Sequence, residues 1–288
     1  MAVPTLSELM EPAHSAEDEA SPYQPGEAVR RSIKKLLLPL FLQVGTTAES
    51  LRADSAGFWH VGEERYWLPR LIFRGGAEKG EETIRLAIFA GIHGDEPAGV
   101  HALVDFLRAL EADPWMGRAY KIHIYPLCNP TGYEDGTRHS RSGLDLNREF
   151  WRGSLEPEVA IIERELLTHK FHGIISLHSD DTSDGVYGFV RGAMLTKHLL
   201  KPALAAAEAA LPVNQGSVID GFHAIDGIIH TAYDGILTAP PGTSPSPFEI
   251  ILESPHHAPV DLQRRAFVLA LEQILRHYRR MISYAADI

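Results

Sequence analysis

Residues 84–92 (IRLAIFAGI) form a nearly continuous apolar run that stops at His93. A run without polar alternation is the pattern of a strand buried on both faces, and such strands belong to parallel sheets covered by helices. The rest of the chain keeps to that plan. Residues 58–73 alternate enough, through Trp59, Val61, Tyr66, Leu68 and Leu71, to predict strands. Residues 98–110 read as an amphipathic helix, 122–128 as a second buried strand, 157–167 as a helix and 173–177 as a third strand. Residues 194–211 are rich in Ala and Leu and read as one helix stopped by Pro212. Residues 248–252 make a fourth strand, and 262–284 a long terminal helix whose basic residues gather towards its end, as the helix dipole favours. Strands alternating with helices predict an α/β fold with a mixed, mostly parallel central sheet flanked by helices. The stretch 239–247 (APPGTSPSP) reads as a loop or lid segment.

Residues 1–50 stand apart. The first 24 or so carry Pro, Glu, Ser and Ala without periodicity and read as a leader or a short peripheral helix, and residues 27–42 as a helix ended near Pro39. The division expected is residues 1–50 as a peripheral segment and 51–288 as one catalytic domain. The start is acidic (Glu8, Glu11, Glu17, Asp18, Glu19) and lacks the positive start and long apolar core of a secretory signal, which points to a cytoplasmic protein. The apolar run 36–42 is too short to span a bilayer. A formal net charge of −11 argues against nucleic acid or an anionic membrane as partner. Cys128 is the one cysteine, so a thiolate-rich metal site and an intrachain disulfide are both excluded, and its apolar neighbours make it a small buried hydrophobe.

Chemistry gathers at the ends of the predicted strands. His93 and Glu96 follow the run 84–92, and His178 follows the strand 173–177. In open α/β sheets ligands bind at the carboxyl ends of strands, so these three side chains fall where one site forms. Two His and one Glu make a three-ligand zinc set with one position left for water, the arrangement of a catalytic metal. The spacing is His-x-x-Glu at a strand-to-turn junction; Gly94 permits a bend, and Pro97 suits the first turn of a helix. The chain therefore reads first as a metal-dependent hydrolase.

Two more groups fit that reading. In Asp145-Leu146-Asn147-Arg148 the guanidinium offers a planar fork for a carboxylate, Asn147 adds a donor, and Asp145, two residues from Asn147 and on the same side of an extended segment, is suited to orient a metal-bound His. Arg138 and Arg141 lie just upstream, which suggests a local anion pocket. Glu253 ends an apolar strand, where a carboxylate beside the metal serves as general base.

Taken together, these residues resemble the zinc carboxypeptidase superfamily, including its succinylglutamate desuccinylase and aspartoacylase branch, over roughly residues 60–280. The resemblance implies His93, Glu96 and His178 as ligands of one zinc, Asp145 as the acid behind the first His, and Asn147-Arg148 as the grip on a substrate carboxylate. Asn129-Pro130-Thr131-Gly132-Tyr133 is similar to the Asn-Pro-Asp-Gly segment of the peptidases, with Thr in place of Asp. Thr137-Arg138 is similar to the Thr-Arg before the Asp-x-Asn-Arg motif, which makes Arg138 the residue that polarises the carbonyl. Glu253 falls at the general base. The segment between His178 and Glu253 departs from the peptidase pattern; Tyr233 is the candidate by position for the family's downstream Tyr, with Tyr187 the lesser one.

Three readings follow. The first is a metallocarboxypeptidase acting on a small peptide with a free carboxylate. The second is an N-acyl amino acid amidohydrolase with the same catalytic parts, in which Arg141 binds an acyl carboxylate. The third is a non-catalytic descendant that holds metal or a peptide tail.

Overall fold

The computed structural model describes residues 30–46 and 50–285. The predicted leader therefore lies outside the described residues. Helix α1 (Ile33–Thr46) comes first, then the strands β1 (Leu51–Val61) and β2 (Glu64–Arg74), β3 (Ile84–Ala90), α2 (Ala98–Ala112), β4 (Tyr120–Tyr125) and α3 (Pro130–Asp135). There follow α4 (Pro157–Thr168), β5 (Gly173–Asp180), β6 (Tyr187–Val190), α5 (Lys201–Ala207), the short strands β7 (Val218–Ile219), β8 (Phe222–Ile225) and β9 (Ile228–Ile229), then β10 (Phe248–Pro255) and α6 (Val260–Ala285).

All ten strands join one mixed sheet in the order β1-β2-β4-β3-β5-β10-β6-β9-β8-β7. The four central strands, β4, β3, β5 and β10, run parallel, and antiparallel strands extend the sheet on both sides. Alternate residues of the central strands feed two cores. Leu86, Ile88, Ile122, Ile124, Ile175, Leu177, Ile250 and Leu252 meet α1, α2, α5 and α6 on one face. Ala87, Phe89, Tyr125 and Ile174 meet α4 on the other. Burial on both faces explains why these strands read as apolar runs rather than as alternation.

Several elements differ from the sequence expectation. Helix α1 runs through Pro39 instead of ending there. Proline in a helix interior costs about 3 kcal/mol, but Leu36, Leu37, Leu40 and Phe41 are fully buried against the core, and each such burial contributes about 1.5–3 kcal/mol. Residues 193–207 are helical without a break, so the expected helix forms but ends short of Leu211. A short helical turn leads into a π turn over Thr196–Leu200, and α5 starts beside Pro202, which has no N–H for a regular ladder. The second buried strand ends at Tyr125, so Leu127 and Cys128 are buried loop residues. Strand β5 continues beyond Leu177 to Asp180 and β10 beyond Leu252 to Pro255, with Glu253 opposite His178 in parallel register. His178 and Glu253 are thus ladder residues and do not lie beyond their strands. The loop 239–247 enters the amino end of β10, so it is a loop but borders no part of the cavity at the strands' carboxyl ends.

Helix α4 carries a buried acid at its start. Glu158 is 2% exposed and its Oε2 has no hydrogen-bond partner among the described residues. Burial pushes its carboxyl up to about 7. A folded-state value above the unfolded one means that ionisation opposes folding, so stability is lost as pH rises from the ordinary carboxyl range through about 7. Glu158→Gln is therefore expected to stabilise the protein by about 2–3 kcal/mol at pH 8 and by much less at pH 5. Denaturant unfolding of both proteins at the two pH values checks this.

Candidate metal centre

The carboxyl ends of β3 and β5 bring the first three candidates together. One ligand atom each from His93, Glu96 and His178 falls within 4.8 Å of the others. His93 Nδ1 is 2.6 Å from Glu96 Oε1, His178 Nδ1 is 3.1 Å from Glu96 Oε2, and the two Nδ1 atoms are 3.2 Å apart. All three side chains are buried. A tetrahedral zinc with bonds of about 2.0–2.1 Å separates its ligands by about 3.3 Å, so the two imidazoles and Glu96 Oε2 have the spacing of such a set. Two imidazole nitrogens facing each other across a carboxylate also have the chemistry of one, because only a shared proton or a cation reconciles them. The residues fit a divalent metal.

The backbone explains how His93 and Glu96 are held. Gly91, at φ +61°, turns the chain out of β3. The role of Gly94 is closeness rather than a bend: a Cβ there would lie 2.0 Å from the carbonyl carbon of Gly132. The loop carrying His93 and Glu96 thus lies directly on the Asn129–Tyr133 segment. Asn129 caps α3 by accepting from Gly132 N at 2.8 Å, and its Nδ2 donates to Arg138 O. Gly94 N donates to the same carbonyl. The segment resembling Asn-Pro-Asp-Gly therefore serves as a brace between the ligand loop and Arg138.

Asp145 is the hub beside them. Its Oδ1 lies 3.3 Å from His93 Nε2 and accepts from Asn147 N at 2.9 Å, and its Oδ2 accepts from Arg138 Nε at 3.1 Å. Residues Leu146–Arg148 form a 3-10 turn capped by Asp145 rather than an extended segment, and this lets one carboxylate reach ligand, backbone and arginine at once. Arg138 Nη1 also reaches Glu96 Oε1 at 3.5 Å. Burial raises the Glu96 carboxyl, but His93 and His178 outweigh it and hold the group well below its ordinary range. Burial also opposes ionisation of Asp145, and His93 and Arg138 likewise prevail. For Glu253 the balance is reversed. Burial pushes its carboxyl well up, and the negative charges of Glu96, Asp180 and Asp220 add to the effect.

His93, Glu96, His178, Arg138 and Glu253 line a cavity of about 480 Å³, together with Asn147, Arg148, Tyr187 and Tyr233. Asn147 Oδ1 is committed to Leu237 N at 2.9 Å, which leaves its Nδ2 as the donor for a ligand. Arg148 lies over the Tyr233 ring at 4.3 Å, and Tyr233 OH donates to Asp220 at 2.9 Å. Tyr187 is buried and donates to Asp180 Oδ2 at 2.9 Å. Arg141 is elsewhere. Its guanidinium bonds Glu64, Tyr66 OH, Glu134 and Asp135 and takes no part in the cavity. The expected anion pocket of three arginines therefore holds two, Arg138 and Arg148. Sequence reasoning missed Asp180, Asp220, Phe189, Ile236 and Ile251, which form much of the remaining wall. Only the acidic pair Asp180-Asp181 just after His178 gave a signal; the others come from short strands and turns without a motif.

The succinylglutamate desuccinylase/aspartoacylase catalytic-domain family matches residues 82–216, a span that contains all three candidate ligands, Arg138, Asp145, Asn147 and Arg148. Over that span the chain is similar to the catalytic domain of the desuccinylase and aspartoacylase family. Solved structures share the fold. A protein of Shewanella denitrificans, provisionally called a metallopeptidase, superposes with a TM-score of 0.70 at 24% identity, over 85% of this chain and 90% of that one. A metallo-carboxypeptidase of Burkholderia cenocepacia gives 0.67 at 17% identity over 88% and 70%. A metallo-carboxypeptidase of Pseudomonas aeruginosa, in complex with (2-guanidinoethylmercapto)succinic acid, gives 0.64 at 16% over 86% and 69%. No curated protein matches the chain.

Asp145 offers a direct test of the centre. Loss of a carboxylate that orients a metal-bound His costs about 10–100-fold in metal affinity. Asp145→Asn is expected to weaken zinc binding by that factor, as measured by competition with a chromophoric chelator.

Proposed function

We propose that the protein is a zinc-dependent hydrolase that cleaves the C-terminal amide bond of a small peptide bearing a free carboxylate. The observation that carries this reading is the shared cavity: the His93, Glu96 and His178 set, Glu253, Arg138 and the Arg148–Asn147 pair border one space at the carboxyl ends of β3, β5 and β10. Two His and a carboxylate favour zinc among the common divalent ions. Zinc held there supplies Lewis acidity and a water molecule acidified towards neutral pH.

The chain's own residues account for the remaining chemistry. Arg148, with Asn147 Nδ2, binds the substrate carboxylate and so sets the scissile carbonyl over the centre. Arg138 donates to the oxygen that becomes negative as water adds to the carbonyl carbon. Glu253 takes the proton from that water, and as the C–N bond breaks it returns the proton to the leaving nitrogen. Glu253 acts as a base only when ionised, and the Glu96 charge is one cause that holds its proton on. A cation between the ligands cancels that cause. Tyr233, beside Arg148, is the candidate for a further contact to the substrate.

The family match favours a second reading, an N-acyl amino acid amidohydrolase. The same parts serve it, but with Arg141 held by carboxylates outside the cavity, Arg138 and Arg148 are the guanidinium groups left for any acyl carboxylate. A cytoplasmic setting suits either substrate. No described helix is long and apolar enough to cross a membrane.

A panel of dipeptides, short peptides and N-acyl amino acids separates the two readings. Glu253→Gln is expected to lower kcat by about 10²–10⁴-fold with zinc content unchanged; undiminished hydrolysis removes Glu253 from the base role. No turnover of any substrate by zinc-loaded protein supports a non-catalytic binding role instead. Arg148→Ala is expected to lower kcat/KM for free-acid peptides by about 10–100-fold, the worth of a charge-assisted hydrogen bond. Activity on the corresponding C-terminal amides should change little.

A further inference from the structure

On the α4 face of the sheet lies a second group of two imidazoles and one carboxylate. His123 is on β4, Glu165 on the last turn of α4, and His169 is the residue that ends that helix. One ligand atom from each lies within 4.8 Å of the others. Glu165 and His169 are one helical turn apart, so their side chains project from the same face, with His169 Nε2 3.6 Å from Glu165 Oε2. The imidazole rings of His123 and His169 have centroids 4.4 Å apart.

We infer that His123, Glu165 and His169 form a second divalent-metal site, one that takes zinc or a similar transition ion and ties helix α4 to strand β4.

Three observations carry this. First, the donor set repeats that of the first centre, two imidazoles and one glutamate. Arg70 bonds Glu165 Oε2 at 2.6 Å and Asp54 at 2.7 and 2.9 Å. Second, His123 is 2% exposed, and its Nδ1 is buried with no hydrogen-bond partner among the described residues. A buried polar atom without a partner costs about 1–3 kcal/mol, and coordination is one way to satisfy an imidazole. Third, Glu165 is already oriented: Tyr125 OH donates to its Oε2 at 2.7 Å, alongside Arg70. Such outer contacts fix a ligating carboxylate.

His169 is 27% exposed, which gives an ion an entry path and a water a place as fourth ligand. Arg70, Lys121 and Arg74 lie near enough to His123 to disfavour positive charge there. The site therefore binds more weakly than the first centre and fills second. The competing account is an aromatic cluster in which His123 and His169 simply pack on each other and on Phe171.

Zinc content decides between them. The full-length wild type, His169→Ala and His123→Phe are dialysed against buffered zinc at tens of micromolar free ion, and bound metal is measured by elemental analysis. The wild type is expected to hold one more zinc per chain than either variant. That difference reports this site alone, whatever the first centre holds. Equal zinc content in wild type and His169→Ala overturns the inference. His169 is partly exposed, so its variant decides the matter should His123→Phe fail to fold. In a His178→Ala background, zinc is expected to raise the unfolding temperature, and adding His169→Ala is expected to abolish that rise. A rise of equal size in both overturns the inference as well.

Discussion

The candidate centre depends on three buried parallel strands that end together. β3, β5 and β10 are neighbours, and their register puts Ala90 opposite Leu177 and His178 opposite Glu253. A buried parallel ladder has no freedom to slip, because a one-residue shift would turn every apolar side chain to the wrong face. The pairing is also clamped from behind. Ser179 and Ser254 bond each other and the Gln263 Oε1 of helix α6, while Gln263 Nε2 donates to His256 O and Ala258 O. A closed buried network of this kind fixes the relative height of two strands better than packing alone. Ser179 N then reaches forward to Glu96 Oε2, so the clamp touches a candidate ligand.

Electrostatics within the cavity are arranged around one surplus. Glu96, Asp145, Asp180, Asp220 and Glu253 face Arg138 and Arg148. Where Arg138 and the imidazoles are near, a carboxylate is held ionised; where carboxylates face one another, as at Glu253, the proton is retained. Two classes of carboxyl group thus coexist in one buried space. On the proposed reading, the same division lets one set favour a cation while a separate member serves proton transfer.

Much of this was legible in the sequence, and the exceptions have physical causes. The run that became β3 announced a two-sided core, and the His-Gly-Asp-Glu turn after it announced chemistry at a strand end. Polar residues hid the true length of β5 and β10: His178, Ser179, Glu253 and Ser254 interrupt the apolar pattern, yet ladder pairing continues through them. Pro39 looked like a helix end because propensity is local, whereas the four buried side chains around it act at long range. Arg141 looked like a ligand-binding arginine because charge alone does not reveal a partner. Two of its partners, Glu64 and Tyr66, are more than 70 positions away. The substrate-side wall from β6 to β9 had no readable motif, since short strands and turns carry little periodicity.

The Gly94–Gly132 contact divides the molecule's working parts into two mechanical units. With no side chain between them, the loop bearing His93 and Glu96 and the segment bracing Arg138 lie in direct backbone contact. Tyr187 and Phe189 lie on β6 beside β10, and Asp220 and Tyr233 belong to the run of short strands and turns beyond it. Change in that outer run can reshape what the cavity accepts while the reacting end stays in place. A lineage built this way can diversify its choice of substrate without rebuilding its chemistry.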